Sequence, residues 1–262
     1  MLNRIAAAKQ EDMVRCGSTI MEEFAYSDKL PAIRKFTDIF APDHRVNLIA
    51  EVKKASPSKG VFIEDFDPVS LAVTYQDNKA GAVSVITEER FFQGNPRFIR
   101  EVKTAVQIPI LRKDFIIDER QIYESRLLGA DAVLLITRLL PGRLLRFVEL
   151  AQELGLEPLV ETHNEEELKQ TLDTPVRVIG INNRNLQDFS VDIKVCLDLI
   201  TQVPDSIYCI AESGIFSTAD MLTLEGHGFR GALVGEALVT AANIGAKVRE
   251  LADYRGVKYD KR

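Results

Sequence analysis

The chain has 262 residues, of which 46% are hydrophobic and 27% are charged, and its formal net charge is −6. This composition is typical of a globular protein with a sizeable core, and it gives no reason to expect nucleic acid or an anionic membrane as a partner. The sequence contains no apolar run of the roughly 20 residues that a membrane span needs, and its first residues lack the apolar core of a signal peptide. The three cysteines form no pairing framework, so we expect a reduced, cytoplasmic setting.

The first 46 residues precede the first predicted strand. Helical patterns cover residues 3–16 and 18–27, and Pro31 and Pro42 interrupt the remainder of this stretch. We interpret residues 1–46 as an N-terminal helical extension, because this stretch is too short to be a separate domain. The prediction is therefore one domain over residues 1–262, with the extension packed across one end of it, near the active face.

Eight short segments rich in Val, Ile and Leu come after the extension. Most are apolar on both faces, as is typical of buried parallel strands. They begin about 20–35 residues apart with helical patterns between them, which indicates repeated strand–helix units. Eight such units predict an α/β fold, the (β/α)8 TIM barrel, and a doubly wound sheet is the alternative. The predicted strands cover residues 47–52, 82–87, 108–113, 132–137, 157–162, 177–183, 208–213 and 231–235.

Most of these segments end on charged or amide side chains. Because side chains alternate along a strand, Ile49, Glu51 and Lys53 share one face of the first strand, and Leu48, Ala50 and Val52 take the other. The polar face then points into the mouth of the barrel, where the active sites of this fold lie. General acid–base chemistry requires acids and bases that converge in this way. The alternative is a set of salt bridges that only stabilise the barrel. Buried ion pairs, however, offset their own desolvation poorly. The polar strand ends are Glu51, Lys53, Glu88, Lys113, Glu161, Asn182, Arg184 and Glu212.

Two tight turns after the seventh and eighth strands predict a phosphate site. Ser213 and Gly214 follow the seventh strand, and Gly235 and Glu236 follow the eighth. Glycine lets backbone N–H groups approach a ligand closely, and these two loops are the usual phosphate site of the barrel. Arg184 can add a bidentate charge. Either turn alone is an ordinary strand–helix connection, and the Glu236 carboxylate would repel phosphate unless it points away.

Two further loops offer contacts to the rest of a substrate. Residues 56–60, beginning with Ser56, are polar and turn-forming, and they can fold over a ligand or remain an ordinary surface loop. Phe91 and Phe92 come after the second strand, where they can stack on an aromatic substrate or pack within their own loop.

Taken together, these motifs resemble the signature of the indole-3-glycerol-phosphate synthase family. The match is colinear from about residue 40 to residue 240, and although each turn alone is a weak signal, the combination is specific. Glu236 departs from it, standing where a small polar residue would seat phosphate more comfortably, and Ala55 and Lys59 vary the first loop. The motifs that carry the resemblance are residues 49–58, Thr87 and Glu88 with residues 91–94, and residues 109–115, 158–161, 180–184, 211–215 and 234–235.

The resemblance implies an enzyme of tryptophan biosynthesis that closes an indole ring. The substrate is 1-(2-carboxyphenylamino)-1-deoxyribulose 5-phosphate, which loses carbon dioxide and water. By resemblance, Lys113 protonates the ketone oxygen, Lys53 meets the anthranilate carboxylate and later assists loss of hydroxide, and Glu161 takes a proton. Glu51 orients Lys53 or shares the role of base. The resemblance further implies that Asn182 hydrogen-bonds substrate hydroxyls and that Glu212 positions Lys113 or the ribulose chain. The residues that it implies for substrate binding are Ser56, Phe92, Phe115, Arg184, Ser213, Gly214, Gly235 and Glu236.

No cofactor and no metal is expected, because loss of carbon dioxide and regained aromaticity drive this reaction. His44, His163 and His227 are too scattered to suggest a metal site, although His163 lies two residues past Glu161, where a role near the site is possible. The expected partner is the small phosphorylated substrate, with no nucleic acid and no membrane, and we expect a monomer or a weak homo-oligomer.

Two other functions fit parts of the pattern. In a Schiff-base aldolase, Lys113 would attack a carbonyl with its pKa lowered by Lys53. A non-catalytic barrel that binds a phosphorylated metabolite would keep the turns at Gly214 and Gly235 but lose the acids and bases, and here that set is intact.

Overall fold

The computed structural model describes residues 1–27, 29–40, 45–185 and 190–256, so Pro42 and His44 lie outside the described residues. Eight parallel strands close into a barrel in which each strand pairs with its neighbours in sequence and the first pairs with the last. This closure confirms the (β/α)8 TIM barrel, and the doubly wound alternative is wrong. The strands are β1 Asn47–Val52, β2 Ala82–Ile86, β3 Ile110–Lys113, β4 Ala132–Ile136, β5 Glu157–Thr162, β6 Val178–Asn182, β7 Tyr208–Glu212 and β8 Gly231–Val234.

Helices connect the strands on the outside of the barrel. The side chains of Asp67, Asp118 and Ser217 each accept hydrogen bonds from backbone N–H groups in the first turn of the next helix, which fixes where those helices begin. Short 3-10 turns lie at Phe36–Ile39, Thr137–Leu139, Ile200–Gln202 and Tyr254–Gly256. The helices are α1 Leu2–Ala25, α2 Pro68–Asp77, α3 Arg97–Ala105, α4 Glu119–Leu128, α5 Leu144–Glu153, α6 Glu165–Leu172, α7 Lys194–Leu199, α8 Thr218–Gly226, α9 Glu236–Val239 and α10 Ile244–Ala252.

The sequence did not predict two local features. A hairpin of two-residue strands, Ala55–Ser56 and Gly60–Val61, orders the loop after β1. The N-terminal helix α1 is continuous over 24 residues, so the predicted break between residues 16 and 18 is wrong. A single glycine within a helix costs only about 1 kcal/mol, which packing against the barrel can offset. One such contact is the edge-to-face pair of Phe24 with Tyr123 of α4.

The N-terminal extension contacts both ends of the barrel. Helix α1 lies at the carboxyl end of the strands, where Met1, Leu2 and Ile5 line the central cavity. The chain then runs down the outside, where the backbone N–H of Arg34 donates to the Asp131 carboxylate at 2.6 Å. At the amino end, the 3-10 turn Phe36–Ile39 and the residue after it close the barrel. The extension therefore does more than cap the active face.

Aromatic and aliphatic side chains fill the interior at that amino end. The ring of Phe40 stacks on Tyr208 at the start of β7, with ring centroids 4.4 Å apart. Above it lies a set of four fully buried side chains that we call the apolar layer. One member comes from each odd-numbered strand, and the members are Ile49, Leu111, Leu159 and Ile210. This closed and apolar base supports the polar groups above it.

Candidate active site

Two residues beyond each member of the apolar layer, the same strands place a charged side chain. We call Glu51, Lys113, Glu161 and Glu212 the charged layer. Lys113 is at its centre: its ammonium donates to Glu161 Oε2 and to Glu212 Oε2, both at 2.9 Å. The geometry follows from strand periodicity, because a step of two residues keeps a side chain on the same face of the sheet.

Two glycines make room for these charges. A side chain at Gly180 in β6 would overlap Glu212 Oε1. A side chain at Gly235 would overlap Glu51 Oε1 and lie 2.9 Å from Lys53 Nζ, which itself lies 2.8 Å from Glu51 Oε1. Gly235, predicted because a phosphate needs close backbone approach, is therefore also required to seat the Glu51–Lys53 ion pair.

The two carboxylates beside Lys113 differ in their electrostatics. Burial raises the pKa of Glu161, but the charges of Lys113 and His163 outweigh it and the net pKa is lowered. Burial and the neighbouring Glu161 raise the pKa of Glu212 to about 8, with Lys113 opposing. Glu161 is thus ionised at neutral pH, whereas Glu212 keeps its proton up to about pH 8.

Lys113 itself is held as a cation. Burial lowers its pKa, but the negative charge of Glu161, with that of Glu51, prevails, and its net pKa is raised above the ordinary lysine value. A nucleophilic lysine needs a lowered pKa, because only the neutral amine attacks a carbonyl. The surroundings of Lys113 therefore oppose the Schiff-base aldolase interpretation and suit a proton donor.

The charged layer forms the floor of two adjoining cavities. The larger, of about 170 Å³, has an apolar side that includes Phe92 and Phe115, whose ring centroids are 5.9 Å apart. The smaller, of about 70 Å³, is bounded by the turns after β7 and β8. The structure brings all the sequence-predicted site residues to these cavities. They are Lys113, Glu161, Lys53, Glu51, Asn182, Glu212, Ser56, Phe92, Phe115, Arg184, Ser213, Gly214, Gly235 and Glu236.

The smaller cavity has strained backbone at its edge. Ser213 and Gly214 both adopt positive φ angles, +64° and +77°. A non-glycine residue in this region costs on the order of 1 kcal/mol, and such strain is concentrated at functional sites. The side-chain amide of Asn183 donates to the Ser213 carbonyl at 2.9 Å and so fixes the turn.

From the sequence, we expected phosphate binding to require that Glu236 point away from the phosphate. In the structure its side chain instead faces the cavities. Its carboxylate lines both of them, forms a short ion pair with Lys59 and lies 3.8 Å from Arg184. Lys59 belongs to the loop after β1, so this ion pair links that loop to the turn after β8. The positive charge of Lys59 also offsets the negative charge that phosphate would meet.

Glu88, predicted as a strand end, lies two residues past the end of β2 and organises a loop. Its carboxylate accepts hydrogen bonds from the backbone N–H groups of Phe91 and Phe92 at 2.7 and 2.9 Å. These contacts place the Phe92 ring against the larger cavity. Glu88 is therefore a positioning residue in this structure.

Sequence reasoning missed a buried ion pair behind Lys113. Lys9 of α1 lies 2.7 Å from Asp114 Oδ1, and Arg112 and Thr87 donate to the other oxygen of Asp114. Burial raises the pKa of Asp114, but Lys9 and Arg112 outweigh it and lower the pKa to about 2. This pair ties α1 to the strand that carries Lys113. The contact joins residues 105 positions apart, so no local pattern could have indicated it.

Among the residues that the structure describes, no group of three or more His, Cys, Asp or Glu side chains is arranged to hold a metal ion. Within the same part of the chain, no helix is long and apolar enough to cross a membrane.

Comparison with known proteins gives concordant matches. A model of the family described as indole-3-glycerol phosphate synthase matches residues 2–251. A protein of that name from Chlorobium luteolum is 49% identical over 203 residues, covering 77% of this chain and 78% of its own. Another from Desulfotalea psychrophila is 43% identical over 255 residues, covering 96% of this chain and 98% of its own. Among solved structures, the crystal structure of KGPDC from Streptococcus mutans has a TM-score of 0.63 at 13% identity, covering 80% of this chain and 97% of that one, which supports the fold alone.

Proposed function

Because the chain belongs to the indole-3-glycerol phosphate synthase family, we propose that the charged layer of its barrel carries out the proton transfers of that reaction. The protein is a carboxy-lyase of tryptophan biosynthesis, which converts 1-(2-carboxyphenylamino)-1-deoxyribulose 5-phosphate to indole-3-glycerol phosphate. The observation that carries the residue assignment is the position of Lys113, which donates at 2.9 Å to two carboxylates with opposite pKa shifts.

The substrate is oriented by the two cavities. Its phosphate occupies the smaller one, where backbone N–H groups of Gly214 and Gly235 and the guanidinium of Arg184 are the donors. Its aromatic ring lies in the larger one, beside Phe92 and Phe115. This orientation places the anthranilate carboxylate toward Lys53 and the ketone over the charged layer. Ser56 and Asn182 are then available to hydrogen-bond the polar groups between the two ends.

Ring closure is the first step. The aromatic carbon that bears the carboxylate attacks the ketone carbon, and the ketone oxygen takes a proton from Lys113. The raised pKa of Lys113 is compatible with this transfer, because the alkoxide that would otherwise form is itself a strong base. Glu212, whose pKa is about 8, holds Lys113 in place and can return a proton to it.

Loss of carbon dioxide and loss of water come next. The carbon–carbon bond to the carboxylate breaks and its electron pair returns to the ring, which restores aromaticity. Hydroxide then leaves with help from Lys53, while Glu161 removes a proton from the neighbouring carbon to complete the indole. The lowered pKa of Glu161 keeps it unprotonated and able to act as that base. Glu51 orients Lys53 through their 2.8 Å contact.

An assay of the purified protein tests this function. The protein and the anthranilate-derived ribulose phosphate should yield indoleglycerol phosphate, detected by indole fluorescence, without added metal. Absence of the indole product at high enzyme concentration would rule out the activity. A Glu161→Gln variant should bind substrate with little change but turn it over at least about 100-fold more slowly, because it removes the base while preserving shape.

Location and assembly are part of the proposal. We place the protein in the cytoplasm, where buried free thiols such as Cys196 and Cys209 persist, and expect a monomer or a weak homo-oligomer. Light scattering over a range of concentrations tests the assembly. A tight complex that resists dilution would contradict it.

A further inference from the structure

His163 comes directly after β5 and is enclosed by carboxylates. Its ring is 6% exposed, with Nε2 3.3 Å from Glu161 Oε1 and Nδ1 3.0 Å from Glu167 Oε2. The same Glu167 oxygen accepts the backbone N–H of His163 at 2.9 Å, and Arg138 Nε donates to the other Glu167 oxygen at 2.7 Å. Nε2 makes no hydrogen bond in the described structure, so Glu167 holds the imidazole, and Nε2 faces Glu161 as an electrostatic neighbour only.

This contact makes the two carboxylates of the charged layer unequal. Glu161 has the Lys113 ammonium beside one oxygen and the His163 imidazole beside the other. Glu212 shares Lys113, but its second oxygen, Oε1, is buried and has no hydrogen-bond partner in the described structure. Two buried carboxylates this close to one lysine compete for a single positive charge, and a second cation beside one of them decides which one ionises.

We propose that His163, held by Glu167, is a positioning residue that keeps the negative charge on Glu161 and leaves the proton on Glu212. The proposal rests on the roles of Glu161 and Lys113 given above and adds the device that separates the two glutamates. Without His163, the proton would be shared between the glutamates, and a protonated Glu161 cannot act as a base.

The charged groups around His163 support a protonated ring. Glu161 on β5 and Glu167 on α6 face its two nitrogens. Arg138, in the turn after β4, acts on it through Glu167, and Lys113 on β3 acts through Glu161. Burial lowers the pKa of His163, but the two carboxylates outweigh it and raise the pKa to about 9.

The experiment begins without substrate. Imidazole NMR of the full chain should show the His163 ring still mostly protonated at pH 8. A His163 ring that is neutral at pH 7 would overturn the proposal. Since this measurement needs no turnover, it stands apart from failure of the proposed function, which would show as an inactive wild-type enzyme.

The second arm is the pH profile of kcat. His163→Gln can still hydrogen-bond Glu167 but carries no charge, and it should move the acidic limb of kcat up by about one pH unit, with KM changed less than about twofold. Glu167→Gln should move the limb in the same direction by less, and it serves if His163→Gln fails to fold. His227→Gln is the matched control and should leave the profile unchanged.

A lower kcat with an unmoved acidic limb in both variants would mean that His163 only stabilises the fold, and the proposal would be wrong.

Discussion

The apolar layer and the charged layer occupy the same four strands, one side-chain repeat apart. Ile49, Leu111, Leu159 and Ile210 are fully buried and apolar. The next inward-facing residue on each strand is Glu51, Lys113, Glu161 or Glu212. Burial of the apolar layer stabilises the fold. Burial of the charged layer costs desolvation free energy, which its ion pairs offset only in part. Stability and chemistry thus depend on successive inward-facing positions of the same strands. Substitutions in the apolar layer should mainly change the free energy of unfolding, and substitutions in the charged layer should mainly change kcat.

The largest effect should come from Lys113→Ala in the charged layer. Turnover should fall by about 10²–10⁴-fold, because the proton donor to the ketone oxygen is lost. Binding of the product, monitored by fluorescence quenching, should persist through the phosphate end of the site. Full activity in this variant would show that the charged layer does not supply the acid.

Leu111→Ala tests the apolar layer two residues earlier on the same strand. It should lower the free energy of unfolding by about 2–5 kcal/mol through lost burial and the cavity left behind. Denaturant titration measures this, and kcat per folded molecule should stay within a few-fold of wild type because no charged group moves. Loss of activity without loss of stability would reverse the comparison.

Gly180→Ala should disturb the charged layer from the side. The added methyl group would overlap Glu212 Oε1 and displace that carboxylate from Lys113. We expect kcat to fall about tenfold with a smaller change in KM, measured by steady-state kinetics. Gly226→Ala, where a methyl group would meet nothing within 4 Å, is the matched control. Equal effects of the two substitutions would argue against a specific need for space at Gly180.

The smallest effect concerns pH. The pKa of Glu212 is raised to about 8, so this residue gains a negative charge as the pH rises through that value. The added charge binds the proton of Lys113 more tightly, and kcat should fall about fivefold between pH 7 and pH 9. Glu212→Gln cannot ionise, so its profile should be flat over that interval even if its kcat is lower. A wild-type profile that rises over the same interval would contradict the assigned proton.

The raised pKa of Glu212 also determines how the free energy of unfolding changes with pH. A carboxyl group whose pKa is raised from 4.5 binds more protons folded than unfolded between pH 4.5 and about 8, so its contribution to the free energy of unfolding decreases across that range. The unfolding free energy of wild type should therefore fall relative to that of Glu212→Gln as the pH rises from 4.5 to about 8.

Local periodicity predicted eight strand–helix units with polar strand ends, and it left a doubly wound sheet as the alternative to the barrel. The observed strand limits differ from the predicted ones by two residues at most, because buried parallel strands are apolar on both faces and their neighbours are helical. Parity then assigned Glu51, Lys113 and Glu161 to the inside without any knowledge of which strands pair.

The features that the sequence did not reveal depend on distant contacts. Lys9 reaches Asp114, and Lys59 reaches Glu236, between elements far apart in the chain. His163 was singled out for its distance from Glu161 in sequence, but its second partner, Glu167, lies one helical turn further on and gives no separate signal. Such pairings depend on how elements pack, which propensity and spacing do not encode.

The extension, which touches both ends of the barrel, has a consequence for biosynthesis. Residues 1–40 leave the ribosome before any strand of the barrel, yet Phe40 stacks on Tyr208, and a side chain at Gly231 would lie 3.4 Å from the Phe40 ring. Those partners belong to the seventh and eighth strands, which are translated last among the strands. The Phe40 end of the extension must therefore wait for most of translation, whereas Lys9 and Arg34 can dock earlier, on Asp114 and Asp131. Phe40 can settle only when the barrel is nearly closed, so its docking reports completion of the barrel.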